Sequence, residues 1–171
     1  MTLFSLLMLL GSPRAHAFTV PMQGFYAETM GAADFVGTPA LGGAVAAGTW
    51  WGQYDDAYAL GKYASLGAHV STQYTSQGAL VTPQLELRRG WDILLAQISG
   101  SVRAGRELSH GSLERTPHWR ASMGGQVKYR YHRYWGALLN IHGGVAAPVD
   151  GSGPLQPTAH ASVGIGWSAP R

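Results

Sequence analysis

From Arg120 to His132 the chain reads RASMGGQVKYRYH, and every second residue is polar or minimal: Arg120, Ser122, Gly124, Gln126, Lys128, Arg130 and His132. The residues between are Ala121, Met123, Gly125, Val127, Tyr129 and Tyr131. A period of two belongs to a β-strand with two unlike faces. The same period recurs along the chain, and no segment beyond the first residues approaches the ~20 apolar residues of a membrane helix. The sequence is therefore confined to all-β architectures, and the open question is which face of each strand meets water.

Eight strands are expected, near Met22–Met30, Ala40–Trp51, Tyr58–Tyr74, Leu80–Arg89, Ile93–Leu108, Arg120–His132, Trp135–Val149 and Thr158–Ser168. In the third, Leu60, Ala64, Leu66, Ala68 and Val70 oppose Gly61, Ser65, Gly67, His69, Ser71 and Gln73. In the fifth, Leu94, Ala96, Ile98, Val102 and Ala104 oppose Gln97, Ser99, Ser101, Arg103, Gly105 and Glu107. RRGWD and HRYWG join strands tightly, whereas HGSLERTPH and DGSGPLQPT are longer, with Gly and Pro as breakers.

The aromatic residues orient the faces. Trp50, Trp51, Tyr54, Tyr58, Trp91, Tyr129, Tyr131, Tyr134, Trp135 and Trp167 fall near the short-turn end, and Phe35, Tyr74 and Trp119 near the other. Aromatic rings gather at a membrane–water interface because they are apolar with a polar edge. The apolar faces then look out into lipid and the polar faces look into a lumen. The polar faces are rich in Gly, Ser and Gln with sparse charge, which suits a narrow interior better than a solvated surface. Charged residues make up only 12% of the chain, about half the share of an ordinary soluble protein.

The first residues, MTLFSLLMLLGSPRAHAFTV, contain an apolar run and Ala15-His16-Ala17, a small-x-small cleavage pattern. Residues 1–17 are read as a signal peptide and 18–171 as a single barrel domain. There is no Cys, so disulfides, thiol chemistry and Cys-based zinc sites are excluded. The formal charge of +3 falls to +2 if Arg14 leaves with the leader, and no basic run stands out. Nucleic-acid binding receives little support.

With leader, strand number, turn pattern, aromatic girdle and the final strand AHASVGIGW in place, the chain resembles the small eight-stranded outer-membrane β-barrel proteins of Gram-negative bacteria. The resemblance is architectural, covers nearly all of Phe18–Arg171 and carries no diagnostic motif. It implies an eight-stranded antiparallel up-and-down transmembrane barrel in the outer membrane, in contact with outer-membrane lipid and lipopolysaccharide. An envelope protein complex is a further partner of this class. Such proteins commonly end on an aromatic residue, whereas Ser168-Ala169-Pro170-Arg171 follow Trp167 here.

Three places hold residue types that are candidates for chemistry. Glu86, Arg88, Arg103, Glu107, Arg120, Lys128, Arg130 and His132 form the expected lumen charge set. One reading is an internal salt-bridge network, since charges in a narrow interior must be paired. The other is a basic interior for an anion or a lipopolysaccharide phosphate, suggested by the excess of cations. His69, His142 and His160 fall on inward faces without a carboxylate at metal-ligand spacing, so neither a metal nor a cofactor is expected.

In ELSHGSLERTPHW, His110, Ser112 and Glu114 are the parts of an acyl hydrolase at a strand–loop junction. His110-Gly111-Ser112 is similar to the His-x-Ser pair of the outer-membrane lipid A deacylases. That family's Glu about a dozen residues on is absent, since Gly124 stands there, and Glu107 or Glu114 would have to substitute. The reading favoured by the whole chain is a structural or interaction role. Its contacts would come from outer loops near Gly31–Pro39, Ser109–His118 and Asp150–Pro157. A lipid A acyl hydrolase and a soluble exported barrel binding a small apolar ligand are the alternatives.

Overall fold

The computed structural model describes residues 19–35, 40–55, 60–75, 78–93, 95–111 and 116–170. The strands are β1 (Thr19–Asp34), β2 (Ala40–Asp55), β3 (Leu60–Thr75), β4 (Gly78–Ile93) and β5 (Ala96–Arg106). They continue as β6 (Leu108–Gly111), β7 (His118–Arg130), β8 (Trp135–Pro148) and β9 (Gln156–Pro170). β5 and β6 are one stave of the barrel. The pairing of β4 with β5 continues in the same register into β6, from Gln84↔Gly105 to Val81↔Leu108, and Glu107 N–H still donates to the His118 carbonyl at 2.8 Å. Each stave is antiparallel to its chain neighbour, and β1 pairs with β9. The result is a closed, eight-stranded, up-and-down barrel, which leaves no open sheet edge.

Closure has a measurable stagger. From Val20 the ladder steps through Tyr54, Gly61, Asp92, Gln97, Lys128, Leu138 and Gly164 and returns to β1 at Met30, ten residues further along. That stagger over eight staves corresponds to a strand tilt of about 40°, inside the usual range for barrels. It brings residues distant in sequence to one level of the bore.

The faces are inverted relative to a soluble protein. Leu85, Val102, Met123, Ile141 and Val163 are each at least 50% exposed on the outside, while Glu86, Asp92, Glu107, His69 and Asn140 are no more than 1% exposed within. Two aromatic rings bracket the apolar wall. Near the chain ends lie Phe25, Trp91, Tyr129 and Trp135, and at the far end lie Phe35, Tyr74 and Trp119, all exposed. Phe25 and Phe35 are ten residues apart along one stave. At ~3.3 Å per residue and the tilt above, their separation along the axis is about 25 Å, the height of the apolar band of outer-membrane barrels.

Some aromatics depart from the expected girdle. Trp50 and Tyr54 are even-numbered positions on β2 and turn inward, Trp50 against the buried apolar cluster and Tyr54 onto Asp92. Tyr58 lies outside the described residues. His132 also leaves the expected lumen set, because β7 ends at Arg130 and the turn at 131–134 carries His132 out to solvent.

At the far end most strands run further than the alternation suggested, so the loops there are shorter, whereas Ile93, expected to open the fifth strand, closes β4. Gly31–Asp34 belong to β1, Ser109–Gly111 to β6, His118 to β7, and Gln156 and Pro157 to β9. The cause is cross-strand pairing, which holds even weakly alternating ends in the ladder; Asp34 is paired with both Ala40 and His160. The long-loop end is not uniformly long, since β3 ends at Thr75 and β4 begins at Gly78. Between β8 and β9 the chain turns through Gly151 at φ 69°, a conformation that suits glycine. Ser152 donates its N–H at 3.0 Å and its hydroxyl at 2.6 Å to Asp150, which holds that exposed carboxyl below its usual range.

Small residues divide the interior unevenly. Tyr26, Met30, Ala44, Ala46 and Leu138 form a buried apolar cluster on the β1–β2–β8 side. The short side chains of β2 leave room for long charged ones from β4, β5 and β7. Adjacent glycines show where space is required. A Cβ on Gly124, which faces inward, would sit 2.0 Å from the Ile141 carbonyl oxygen and 2.7 Å from His142, whereas one on outward Gly125 finds its nearest neighbour at 3.7 Å. Gly124→Val should therefore destabilise the barrel by at least the 1–3 kcal/mol typical of overpacking. Gly125→Val should cost less than about 0.5 kcal/mol, the scale of an uncrowded surface change. Urea unfolding of both variants in lipid vesicles checks the contrast, and equal losses would refute it.

Candidate functional site in the barrel interior

The inward faces carry charge in three tiers along the bore. The central tier joins four staves. Arg88 on β4 donates through both terminal nitrogens to Glu28 on β1, at 2.8 and 2.6 Å. The same guanidinium reaches Glu86 at 2.6 Å and the Gln126 carbonyl oxygen at 2.8 Å. Arg103 Nε on β5 donates to the other oxygen of Glu86 at 2.7 Å. Gln126 on β7 returns a hydrogen bond to Glu28 at 3.1 Å, and the Tyr26 ring lies 4.7 Å from the Arg88 guanidinium carbon. Bidentate, charge-assisted bonds of this kind are the strongest available to side chains and fix geometry as well as energy.

Towards the chain ends, Asp92 accepts from Tyr54, from Arg130 and, at 2.9 Å, from Gln97. Lys128 donates to Ser168 at 3.0 Å. At the far end, Arg120 bridges Glu107 and Asp34, the latter at 3.7 Å. His160 Nδ1 lies 2.9 Å from Asp34. His118 Nδ1 lies 3.1 Å from Glu107 Oε2, a contact that is not aligned as a hydrogen bond.

Glu86, Arg88, Arg103, Glu107, Arg120, Lys128 and Arg130, named from the sequence, all lie on this inward surface. Three carboxylates were missed. Glu28 sits between Tyr26 and Met30 on a stave whose faces were not assigned, Asp34 lay in an expected loop, and Asp92 lay in an expected turn. With them the described interior holds five carboxylates, Glu28, Asp34, Glu86, Asp92 and Glu107, against five cations, Arg88, Arg103, Arg120, Lys128 and Arg130. The excess of positive charge that kept the anion reading open is gone, because the missing acids are at the strand ends and in β1.

His142 and His160 are direct cross-strand partners, and His69 is 1% exposed on the facing wall. His142 Nε2 is 3.2 Å from the Ser101 hydroxyl. Among the described residues no group of three or more His, Cys, Asp or Glu is placed to hold a metal. His110 lies in β6, paired with Ala79, while Ser112 and Glu114 lie outside the described residues. Glu107, the other acid considered for a hydrolase, is engaged by Arg120 inside the bore.

Space in the interior is small. One cavity of about 30 Å³ lies beyond the central tier, among Asp34, His69, Arg103, Arg120, His142 and His160. Another of about 30 Å³ lies on the chain-end side, among Tyr26, Trp50, Tyr63, Arg88 and Lys128. Each has room for ordered water. The central tier stands between them, and charged side chains line both.

No protein-family model matches the chain, and no curated protein matches it. Among solved structures, the chain is similar to the crystal structure of the N-terminal β-barrel domain of Pseudomonas aeruginosa OprF. The TM-score is 0.51 at 14% identity, over 84% of this chain and 97% of that one. The likeness is one of fold, and it agrees with the closed eight-stranded barrel.

Proposed function

We propose that this protein is an integral outer-membrane β-barrel with a structural or interaction role and a bore closed by its own side chains. The observation that carries the reading is the inverted surface. Outside, an apolar wall is bracketed by aromatic rings about 25 Å apart; inside, paired charges fill the bore. A lipid environment makes both faces favourable, since charge is costly in hydrocarbon and a large apolar surface is costly in water. In this reading residues 1–17 are an export leader removed from the mature chain. The wall contacts outer-membrane lipid. The loops at the far end, around 35–39, 112–117 and 149–155, contact lipopolysaccharide or an envelope protein complex.

Electrophoretic mobility with and without boiling, on protein extracted from the outer-membrane fraction, tests the reading. A barrel closed by its hydrogen-bond ladder stays folded in cold detergent and shifts on heating. The expected result is that shift, with recovery in the outer-membrane fraction and no ion leak from reconstituted vesicles. Solubility without detergent would sink the membrane assignment. A steady leak would sink the closed bore.

A further inference from the structure

Between the levels of Phe25 and Phe35, only Arg89 and Arg106 bring charge to the outward faces of the described staves. Arg106 is paired in register with Trp119, at the far aromatic ring, where the interface accommodates it. Arg89 is placed differently. It lies two residues beyond Trp91 on the same outward face of β4, away from the chain ends, which puts it about 5 Å inside the apolar band at the barrel's tilt. Lys62 on β3 is directly opposite Trp91. A row of cation, aromatic ring and cation therefore runs from the interface into the wall.

The flanks of Arg89 are open. Its register partners are Ala64 on β3 and Gly100 on β5. A Cβ on Gly100 would meet nothing nearer than 3.8 Å, so packing of the wall does not demand glycine there. No carboxylate among the described side chains shares the outward face with Arg89. A guanidinium in the edge of a lipid band is unfavourable without a counter-charge. The counter-charge within reach of a long side chain that extends back to the interface is a headgroup phosphate, which a guanidinium binds in bidentate fashion, and a tryptophan at the level of Trp91 suits the interfacial region beside it.

We propose that Arg89, with Lys62 and Trp91, forms a seat for the phosphate of one phospholipid in the leaflet next to the chain ends. The proposal rests on the membrane-barrel reading above. The lipid is held by its phosphate and glycerol region, with its acyl chains running along the apolar wall towards the band centre.

Delipidated full-length protein in mild detergent, titrated with phosphatidylglycerol and followed by native mass spectrometry, tests it. The wild-type protein is expected to show one retained lipid. Arg89→Gln should weaken retention by about tenfold or more, the loss of a charge-assisted pair. Arg89→Lys should lie between, and Gly100→Leu, which fills the flank without changing charge, should also weaken it. The heat shift of each variant should be unchanged, which separates lost binding from lost folding. Equal retention in wild type and Arg89→Gln, no retained lipid in the wild type, or preference for lipid A over phosphatidylglycerol would each overturn the seat. A wild-type protein that is soluble without detergent and shows no heat shift would instead overturn the membrane reading beneath it.

Discussion

Glu86→Gln should lower the stability of the folded barrel by about 3–5 kcal/mol, the usual cost of removing one partner from a buried ion pair. The reason lies in the asymmetry of the central tier. Arg88 loses one of its acids but keeps Glu28 at 2.6 and 2.8 Å and Gln126 at 2.8 Å. Arg103 keeps no acid; its hydrogen bond to a carboxylate is to Glu86, and its Nη2 has no hydrogen-bond partner among the described residues. The cost is thus the exposure of Arg103 as an uncompensated charge in a narrow, poorly solvated bore.

It follows that Arg103→Met alone is milder, since Glu86 still receives Arg88 at 2.6 Å. It also follows that Glu86→Gln combined with Arg103→Met regains most of the loss, because the interior is then balanced again. Urea titration in phosphocholine vesicles, read by the fraction that still migrates as folded barrel without boiling, measures all three. Coupling between the two positions should exceed about 1 kcal/mol. Additive losses, or a Glu86→Gln barrel within about 0.5 kcal/mol of wild type, would show that the tier does not act as a unit.

The architecture was readable because alternation is local. Leu85, Leu87, Val102 and Met123 declare their face from two or three neighbours, and all four stand exposed on the outer wall. What was not readable depends on long-range register. Asp92 looks like a turn residue beside Trp91 and Gly90, yet pairing with Gly61 on β3 and Gln97 on β5 keeps it in the ladder and aims it inward. Asp34 follows a run of Gly and Ala that resembles a loop, and its pairing with His160, 126 residues away, holds it in β1.

The same limit explains the charge balance. Counting cations from the clearly alternating staves alone left the interior positive, because the acids that neutralise it come from less regular segments. Trp50 and Tyr54 fail for a related reason. Composition places aromatics at an end of the barrel, but only register tells whether they stand outside it or inside. For His110, Ser112 and Glu114 the residue types were legible, whereas catalysis depends on their mutual geometry, which residue spacing does not contain.

Leu85→Arg tests the orientation of the whole wall. Leu85 is 63% exposed, and its cross-strand partners Ala68 and Ala104 are outward as well. By the barrel's stagger it lies near the middle of the band between the aromatic rings. In a soluble barrel an exposed leucine exchanged for arginine changes stability by no more than about 0.5 kcal/mol. In a lipid-embedded wall it costs about 2–4 kcal/mol, because the guanidinium must either lose water or thin the bilayer around it.

A second position separates depth from mere exposure. Leu41 is 75% exposed and pairs with Tyr74 in the far aromatic ring. Leu41→Arg should cost only about 0–1 kcal/mol, since the charge there reaches headgroups directly. Side by side in the same vesicles, the two substitutions should therefore differ by about 2 kcal/mol or more, although Leu41 is the more exposed of the two. If both are neutral, the exposed leucines face water, and the apolar wall must be covered by something other than lipid. If both are equally costly, depth is not the variable, and the band between Phe25 and Phe35 does not mark the membrane.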